Sequence, residues 1–219
     1  DKLNYEWFTR PVIDQVKEAL MESKGYTEEE AKALLSNGGL KIYSTMNREL
    51  QNHTQDVLDN DSRLTSISNP DENGISQPQA SAVVMDYKTG QVKAMVGGRG
   101  KQPALSYNRA YDAENFSRAT GSSIKPLTVY SAGIDSGFAT AATMYEDSPL
   151  TGSLLKEYGH LKNSPDRYSG YITLREAIRR SVNIYAVKLV YNMGKTTSSA
   201  YAEKFGINMG NDKDNLSSL

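Results

Sequence analysis

The apolar positions change period several times along the first 60 residues. Val12, Val16, Ala19 and Leu20 fall on one stripe at helical spacing, so residues 1–37 read as helical. Pro11 stands where the opening turn of a helix tolerates a missing N–H. Thr27, with Glu30 three residues later, forms a capping box for a short helix that runs to Leu35 and that Gly38 can end. The stretch Leu40-Lys41-Ile42-Tyr43-Ser44-Thr45 then alternates with the period of a strand, and Asn47 suits the cap of a helix through Leu58.

From 59 to 79 the pattern dissolves into Asp, Asn, Ser and Pro, the composition of a linker. Two apolar runs at 80–86 and 91–96 flank Lys88-Thr89-Gly90 and predict a hairpin. Residues 97–121 carry no clear period. Helical spacing returns at 123–136, 173–191 and 196–205, with a Gly/Ser/Pro-rich loop across 146–170. No internal repeat is present.

Composition narrows the chemistry. The 25 Lys+Arg and 26 Asp+Glu nearly cancel to a formal charge of -1, which argues against nucleic acid or an anionic membrane surface as the main partner. The absence of cysteine removes disulfides, thiolate metal sites and cysteine nucleophiles. Only His53 and His160 are available for imidazole chemistry, and both read as surface residues, so neither a metal site nor a cofactor is expected. No run approaches the roughly 18 apolar residues of a membrane span, and no signal peptide opens the chain. Starting at Asp1 and stopping at Ser218-Leu219, the sequence reads as a piece of a longer protein, so its lack of a membrane anchor is uninformative about the parent.

One segment concentrates the chemistry: Gly121-Ser122-Ser123-Ile124-Lys125-Pro126-Leu127. A helix containing Pro126 must start within about one turn before it. Ser122 then lies at the helix N-terminus, with Lys125 one turn on along the same face. A serine hydroxyl needs a base within reach, and a lysine serves when burial lowers its pKa. The plain alternative is a capping serine beside an unrelated surface lysine. Ser153 and Lys156 satisfy the same spacing in what reads as a polar loop, and Gly152 precedes them too, but they lack the following Pro and an apolar continuation like that through Val129 and Ile134.

Ser181-Val182-Asn183 is the second element, with a hydroxyl to relay a proton and an amide to hold a carbonyl. Ser106-Tyr107-Asn108 matches it as a decoy, and polar residues on a helix surface are the plain alternative. The amphipathic stretch 173–180 before it and Ile184, Ala186, Val187 and Leu189 after it favour position 181. Lys188 and Arg180 flank the motif and read first as surface charges. Tyr107, Tyr130 and Tyr185 read first as packing residues.

Together these residues resemble the penicillin-recognising acyl-serine enzymes, whose signature is S-x-x-K, a serine–asparagine element and K-T-G. The resemblance narrows to class A (bifunctional) penicillin-binding proteins and covers most of the chain. Gly38-Gly39-Leu40-Lys41-Ile42-Tyr43-Ser44-Thr45 is similar to their interdomain linker, and the run from Met85-Asp86-Tyr87 to Val96-Gly97-Gly98 to the first strands of their transpeptidase sheet. Tyr107-Asn108-Arg109-Ala110, Glu146-Asp147-Ser148-Pro149 and Tyr171-Ile172-Thr173-Leu174-Arg175-Glu176-Ala177 also fit.

The resemblance implies an α+β fold of the penicillin-binding-protein/serine β-lactamase type, an antiparallel sheet packed with helices. That fold would be incomplete at the C-terminus and preceded by a small α/β linker. Residues 1–75 would be the linker following an absent glycosyltransferase domain, and 76–219 the N-terminal part of the transpeptidase domain. Catalysis would rest on Ser122 as nucleophile, Lys125 as base, Ser181 as proton relay and Asn183, with Ser122 and Asn183 also binding substrate. The implied reaction is D,D-transpeptidation or carboxypeptidation of peptidoglycan stem peptides ending in D-Ala-D-Ala, at the extracytoplasmic face of a bacterial membrane, with β-lactam antibiotics as inhibitors. No K-T-G follows Asn183: Lys195-Thr196-Thr197 lacks the glycine, and Lys88-Thr89-Gly90 precedes the nucleophile in a turn. The third motif is therefore expected on a companion C-terminal fragment of the same protein. A serine β-lactamase, and a non-catalytic β-lactam-sensing or scaffold module, are the alternatives.

Overall fold

The computed structural model describes residues 3–112 and 119–207. Residues 113–118, in the aperiodic stretch 97–121, and the tail from 208 lie outside the described residues. The chain divides into two compact units, 1–117 and 118–219.

The first unit opens with helices α1 (Glu6–Lys24) and α2 (Glu28–Asn37). Pro11 falls in the second turn of α1 rather than the first, because the helix begins earlier, at Glu6. Phe8 and Pro11 are buried, so packing offsets the missing N–H. The capping box forms in full: Thr27 Oγ1 accepts from Glu30 N–H, and Thr27 N–H donates to the Glu30 carboxylate at 2.8 Å.

Residues 40–45 do not form the expected strand. The segment is tied to its neighbour only near its end, where Thr45 Oγ1 donates to Val92 O (2.6 Å) and Asn47 N–H to Lys93 O (2.8 Å). Leu40, Ile42 and Tyr43 stay exposed. Alternation alone does not make a strand when no edge pairs with it. Asn47 does cap α3 (Arg48–Asn60), accepting from Leu50 N–H at 3.0 Å.

The region read as a linker contains short elements: α4 (Ser62–Thr65), and β1 (Asn69–Pro70) paired antiparallel with β2 (Ser76–Gln77). Asp71 organises the turn between them, its carboxylate accepting from Asn73 and Ile75 N–H. The predicted hairpin is present as β3 (Ala82–Met85) and β4 (Val92–Val96), antiparallel with an irregularity at Val84/Met85. Lys88-Thr89-Gly90 is its turn. Asp86 accepts from Lys88 N–H and Thr89 Oγ1, and Gly90 adopts φ +71°, where a glycine is favoured.

Gln51 of α3 binds β4 as a strand would, donating to Met95 O and accepting from Met95 N–H, both at 2.8 Å. Beyond β4, Gly97 is forced by a close approach. An added Cβ would lie 2.2 Å from Asn108 Oδ1 and 2.8 Å from its Cα, while Asn108 Nδ2 is anchored on Trp7 O at 2.9 Å.

In the second unit the helical run begins as a 3₁₀ turn (Gly121–Ile124), continues as a π turn (Pro126–Tyr130) and ends as α5 (Ser131–Asp135). Then come β5 (Met144–Asp147), α6 (Gly152–Tyr158), β6 (Gly170–Thr173), α7 (Leu174–Arg180), α8 (Asn183–Met193) and α9 (Lys195–Lys204). The stretch 146–170 is thus not one loop. β5 and β6 pair antiparallel through Met144↔Thr173 to Asp147↔Gly170. At four residues each they are too short for a periodic signal.

α8 is the centre of this unit, with seven of its eleven residues buried, among them Ile184, Tyr185, Leu189 and Val190. A helix apolar nearly all round belongs inside a core. Val129, Tyr130, Ala132, Ile172, Leu174 and Ala177 pack around it. Each fully buried aliphatic or aromatic side chain here contributes about 1.5–3 kcal/mol.

Replacing Gly97 by alanine should destabilise the first unit by about 1–3 kcal/mol, because the clash is with backbone that no rotamer change relieves. Urea denaturation would show this as a lower midpoint at unchanged slope; an unchanged midpoint would refute the close approach.

Candidate active site

Four residues singled out by the sequence fall in the second unit, and three of them meet. Lys125 is 2% exposed, and its Nζ donates to Ser181 O (2.9 Å), approaches Ser181 Oγ (3.4 Å) and donates to Asn183 Oδ1. Ser122 lies on the exposed surface of the 3₁₀ turn. Residues three apart eclipse in such a turn, which stacks Ser122 above Lys125. Among the described residues no hydrogen bond joins the two side chains.

The irregular helix follows from Pro126. Its ring cannot sit against the carbonyl of Ser122 in α geometry. The chain tightens before it, with Lys125 N–H donating to Ser122 O, and loosens after it, with Ser131 N–H donating to Pro126 O. A π turn leaves carbonyls misaligned, and one is met from outside: Ser198 Oγ of α9 donates to Thr128 O at 2.8 Å. Gly133 lets α5 close on α8, since a Cβ there would lie 2.9 Å from Leu189 Cδ2.

The helix predicted at 173–191 is two helices, and the break creates the second motif. Ser181 N–H donates to Ile178 O (3.1 Å) and Val182 N–H to Ala177 O (3.0 Å), a Schellman ending with Ser181 at φ +55°. Glycine is the usual residue there, and a serine costs about 1–2 kcal/mol. No glycine marks the break, so the period ran on through it. Val182 is buried as the apolar partner of this ending, and α8 restarts at Asn183.

Burial lowers the pKa of Lys125, because a desolvated ammonium is disfavoured against the neutral amine. The three oxygens match the three N–H of the charged form. After proton loss, two N–H can stay on Ser181 O and Asn183 Oδ1 while the lone pair is free for a hydroxyl. This is the arrangement a base needs.

The neighbours take other duties. Lys188 Nζ donates to Glu146 O, and Arg180 donates to Ser169 Oγ at 2.9 Å, so both brace the unit. Tyr185 OH donates to Thr143 O (2.7 Å) and meets Tyr145 edge-on at 5.0 Å, with burial pushing its phenol up to about 12. Tyr107 OH donates to Asp112 O at 2.6 Å.

The decoys separate cleanly. Ser153 and Lys156 lie exposed on α6 rather than in a loop. Ser106 donates to Pro103 O, and Asn108 anchors Trp7. Lys195 starts α9, and His53 and His160 are exposed. Among the described residues no cluster suits a metal ion, and no helix is long and apolar enough to cross a membrane. The sequence pattern missed Asn163, whose side chain accepts from Asn183 N–H (3.0 Å) and Ile184 N–H (3.2 Å). Nothing in its flanks marks it as a cap for a helix twenty residues away.

A serine at a helix mouth, a buried lysine beneath it and a Ser-x-Asn turn closing on that lysine are the groups that serine acyl transfer requires. The penicillin binding protein transpeptidase domain family matches residues 80–217, and the chain belongs to that family. Penicillin-binding protein 1A of Clostridium acetobutylicum is 47% identical across the whole chain, and that of Clostridium botulinum strain Hall is 52% identical. The chain spans 28% and 27% of the length of these two relatives. The resemblance drawn from the motifs is thereby borne out, including the segment before residue 80.

Among solved structures, the PonA1 protein of Mycobacterium tuberculosis in complex with penicillin V superposes with a TM-score of 0.65 at 22% identity, over 91% of this chain and 46% of that one. The D,D-transpeptidase domain of a peptidoglycan glycosyltransferase from Eggerthella lenta gives 0.50 at 23% identity, over 74% of this chain and 37% of that one. These likenesses establish the fold, an incomplete α+β transpeptidase type with antiparallel strands among helices.

The lysine also leaves a mark on stability. Its folded pKa lies below the unfolded value, so the folded state binds fewer protons between the two, and stability rises with pH through that window. Urea unfolding at stepped pH should show a positive slope that Lys125→Met lacks; equal slopes would mean that the lysine is not desolvated.

Proposed function

We propose that this chain carries the nucleophile-bearing part of a D,D-transpeptidase that cross-links peptidoglycan stem peptides and is the target of β-lactams. The observation that carries the proposal is the buried Lys125 amine held against Ser181 and Asn183, one turn beneath Ser122. In this reading Ser122 Oγ attacks the penultimate D-alanine carbonyl while Lys125 takes its proton. Ser181 passes a proton to the departing D-alanine nitrogen, and Asn183 holds the donor peptide through its amide. An amine from a neighbouring strand, or water in the carboxypeptidase variant, then resolves the ester. A β-lactam presents a strained amide to the same serine and leaves a persistent acyl-enzyme. The backbone N–H of Ser122 serves as an oxyanion donor.

The whole-chain match to penicillin-binding proteins 1A, residues 1–79 included, favours a transpeptidase over a β-lactamase. It supports residues 1–75 as an interdomain linker, 76–219 as transpeptidase sequence, and placement at the extracytoplasmic face of a bacterial membrane. Relatives more than three times as long have room for the K-T-G element and the remaining strands, which we assign to sequence outside this chain. Val83 and Met85 on β3, 45% and 56% exposed, leave apolar surface for such strands to cover.

Benzylpenicillin should attach to Ser122 of the full-length protein, as read by mass spectrometry of peptides, and Ser122→Ala should abolish the adduct. Labelling that survives that substitution would end the assignment. Lys125→Ala should slow acylation about 10²–10⁴-fold. Acylation of the unaltered protein should accelerate with rising pH, with a midpoint below the ~10.4 of a free lysine. A rate unaffected by Lys125→Ala would remove the base.

The 219-residue chain alone should label far more slowly than the full-length protein. Equal rates would show that no outside element completes the site.

A further inference from the structure

Asn183 is gripped from one loop by both its backbone and its side chain. Its N–H and that of Ile184 donate to Asn163 Oδ1, and its Nδ2 donates to Lys162 O at 2.8 Å. Val182, at the N-cap of α8, offers no side-chain acceptor, so Asn163 caps that helix from outside. Asn163 Nδ2 in turn donates to Asp147 Oδ1 (2.7 Å) and Arg167 O (2.9 Å), while Asp147 Oδ2 accepts from Ser169 N–H (3.0 Å). Asp147, at the end of β5, is 1% exposed.

All four hydrogen-bonding positions of the Asn163 amide are therefore engaged. Turning the group over would set its NH₂ against two N–H donors and its oxygen against a carboxylate, so its orientation is fixed. The consequence reaches the site directly. With one N–H of Asn183 committed to Lys162 O, its Oδ1 faces Lys125 and its second N–H is left for a ligand.

We propose that Asn163, locked by the Asp147 carboxylate, is a positioning residue for acylation: it sets where Asn183 presents its amide and, through Oδ1, where the Lys125 amine stands. This rests on the transpeptidase reading above. Small displacements of such groups cost up to about a hundredfold in rate.

The test is the benzylpenicillin acylation rate of the full-length protein, with circular dichroism on the same samples. Asn163→Ala should acylate about 10- to 100-fold more slowly, with Ser122 still the labelled residue. Asp147→Asn and Asn163→Asp should each slow it. The doubly exchanged protein should acylate faster than either single variant but short of wild type, because the 147–163 bond re-forms with donor and acceptor reversed and a carboxylate oxygen still faces the two N–H groups, while the bond to Arg167 O stays lost. A merely structural asparagine would give no such recovery. An Asn163→Ala rate within twofold of wild type overturns the proposal, as does a folded double exchange no faster than the slower single variant. Failure of both Asn163→Ala and the double exchange to fold overturns it too, since the residue would then be needed for the fold rather than the rate. A wild-type protein that does not label at Ser122 sinks the transpeptidase reading instead.

Discussion

A single desolvated amine governs this structure. Lys125 is taken out of water, which costs several kcal/mol for a full charge unless polar partners surround it. Its partners all come from one short turn: the carbonyl and hydroxyl of Ser181 and the amide oxygen of Asn183. The rest of the second unit arranges that turn. α7 must end at Ser181, α8 must begin at Asn183 with its core face buried, and the helix bearing Lys125 must pass close by. Pro126, Gly133 and the Ser198 contact on Thr128 accomplish the last of these. Packing therefore serves electrostatics here, because the core fixes how dry the lysine is and which atoms it meets.

Much of this was legible in the sequence because the signals are local. A capping box, an asparagine cap and a hairpin turn at Lys88-Thr89-Gly90 act within a few residues, and each forms as read. Pro126 also located the start of the helix that carries Ser122, since a missing N–H has steric consequences one turn away. The site residues could be chosen over their decoys because apolar continuation on one side of Ser122 and of Asn183 implies a buried backing, which Ser153 lacks.

Signals that depend on a partner failed. Residues 40–45 alternate properly, yet pairing needs an edge, and the hydrogen bonds to β4 come from Thr45 at the end of the segment and Asn47 beyond it. β5 and β6 hold four residues each and are specified by each other rather than by their own pattern. The break at Ser181 was hidden because a serine occupies a position where glycine would have announced it. Asn163 was invisible for the same reason: its work is done on a helix end far along the chain.

The left-handed backbone at Ser181 carries an evolutionary corollary. Any selection for heat resistance alone would drift toward glycine there, trading a hydroxyl beside the amine for a relaxed main chain. Serine at this position keeps that hydroxyl 3.4 Å from the Lys125 amine and leaves the strain in the main chain.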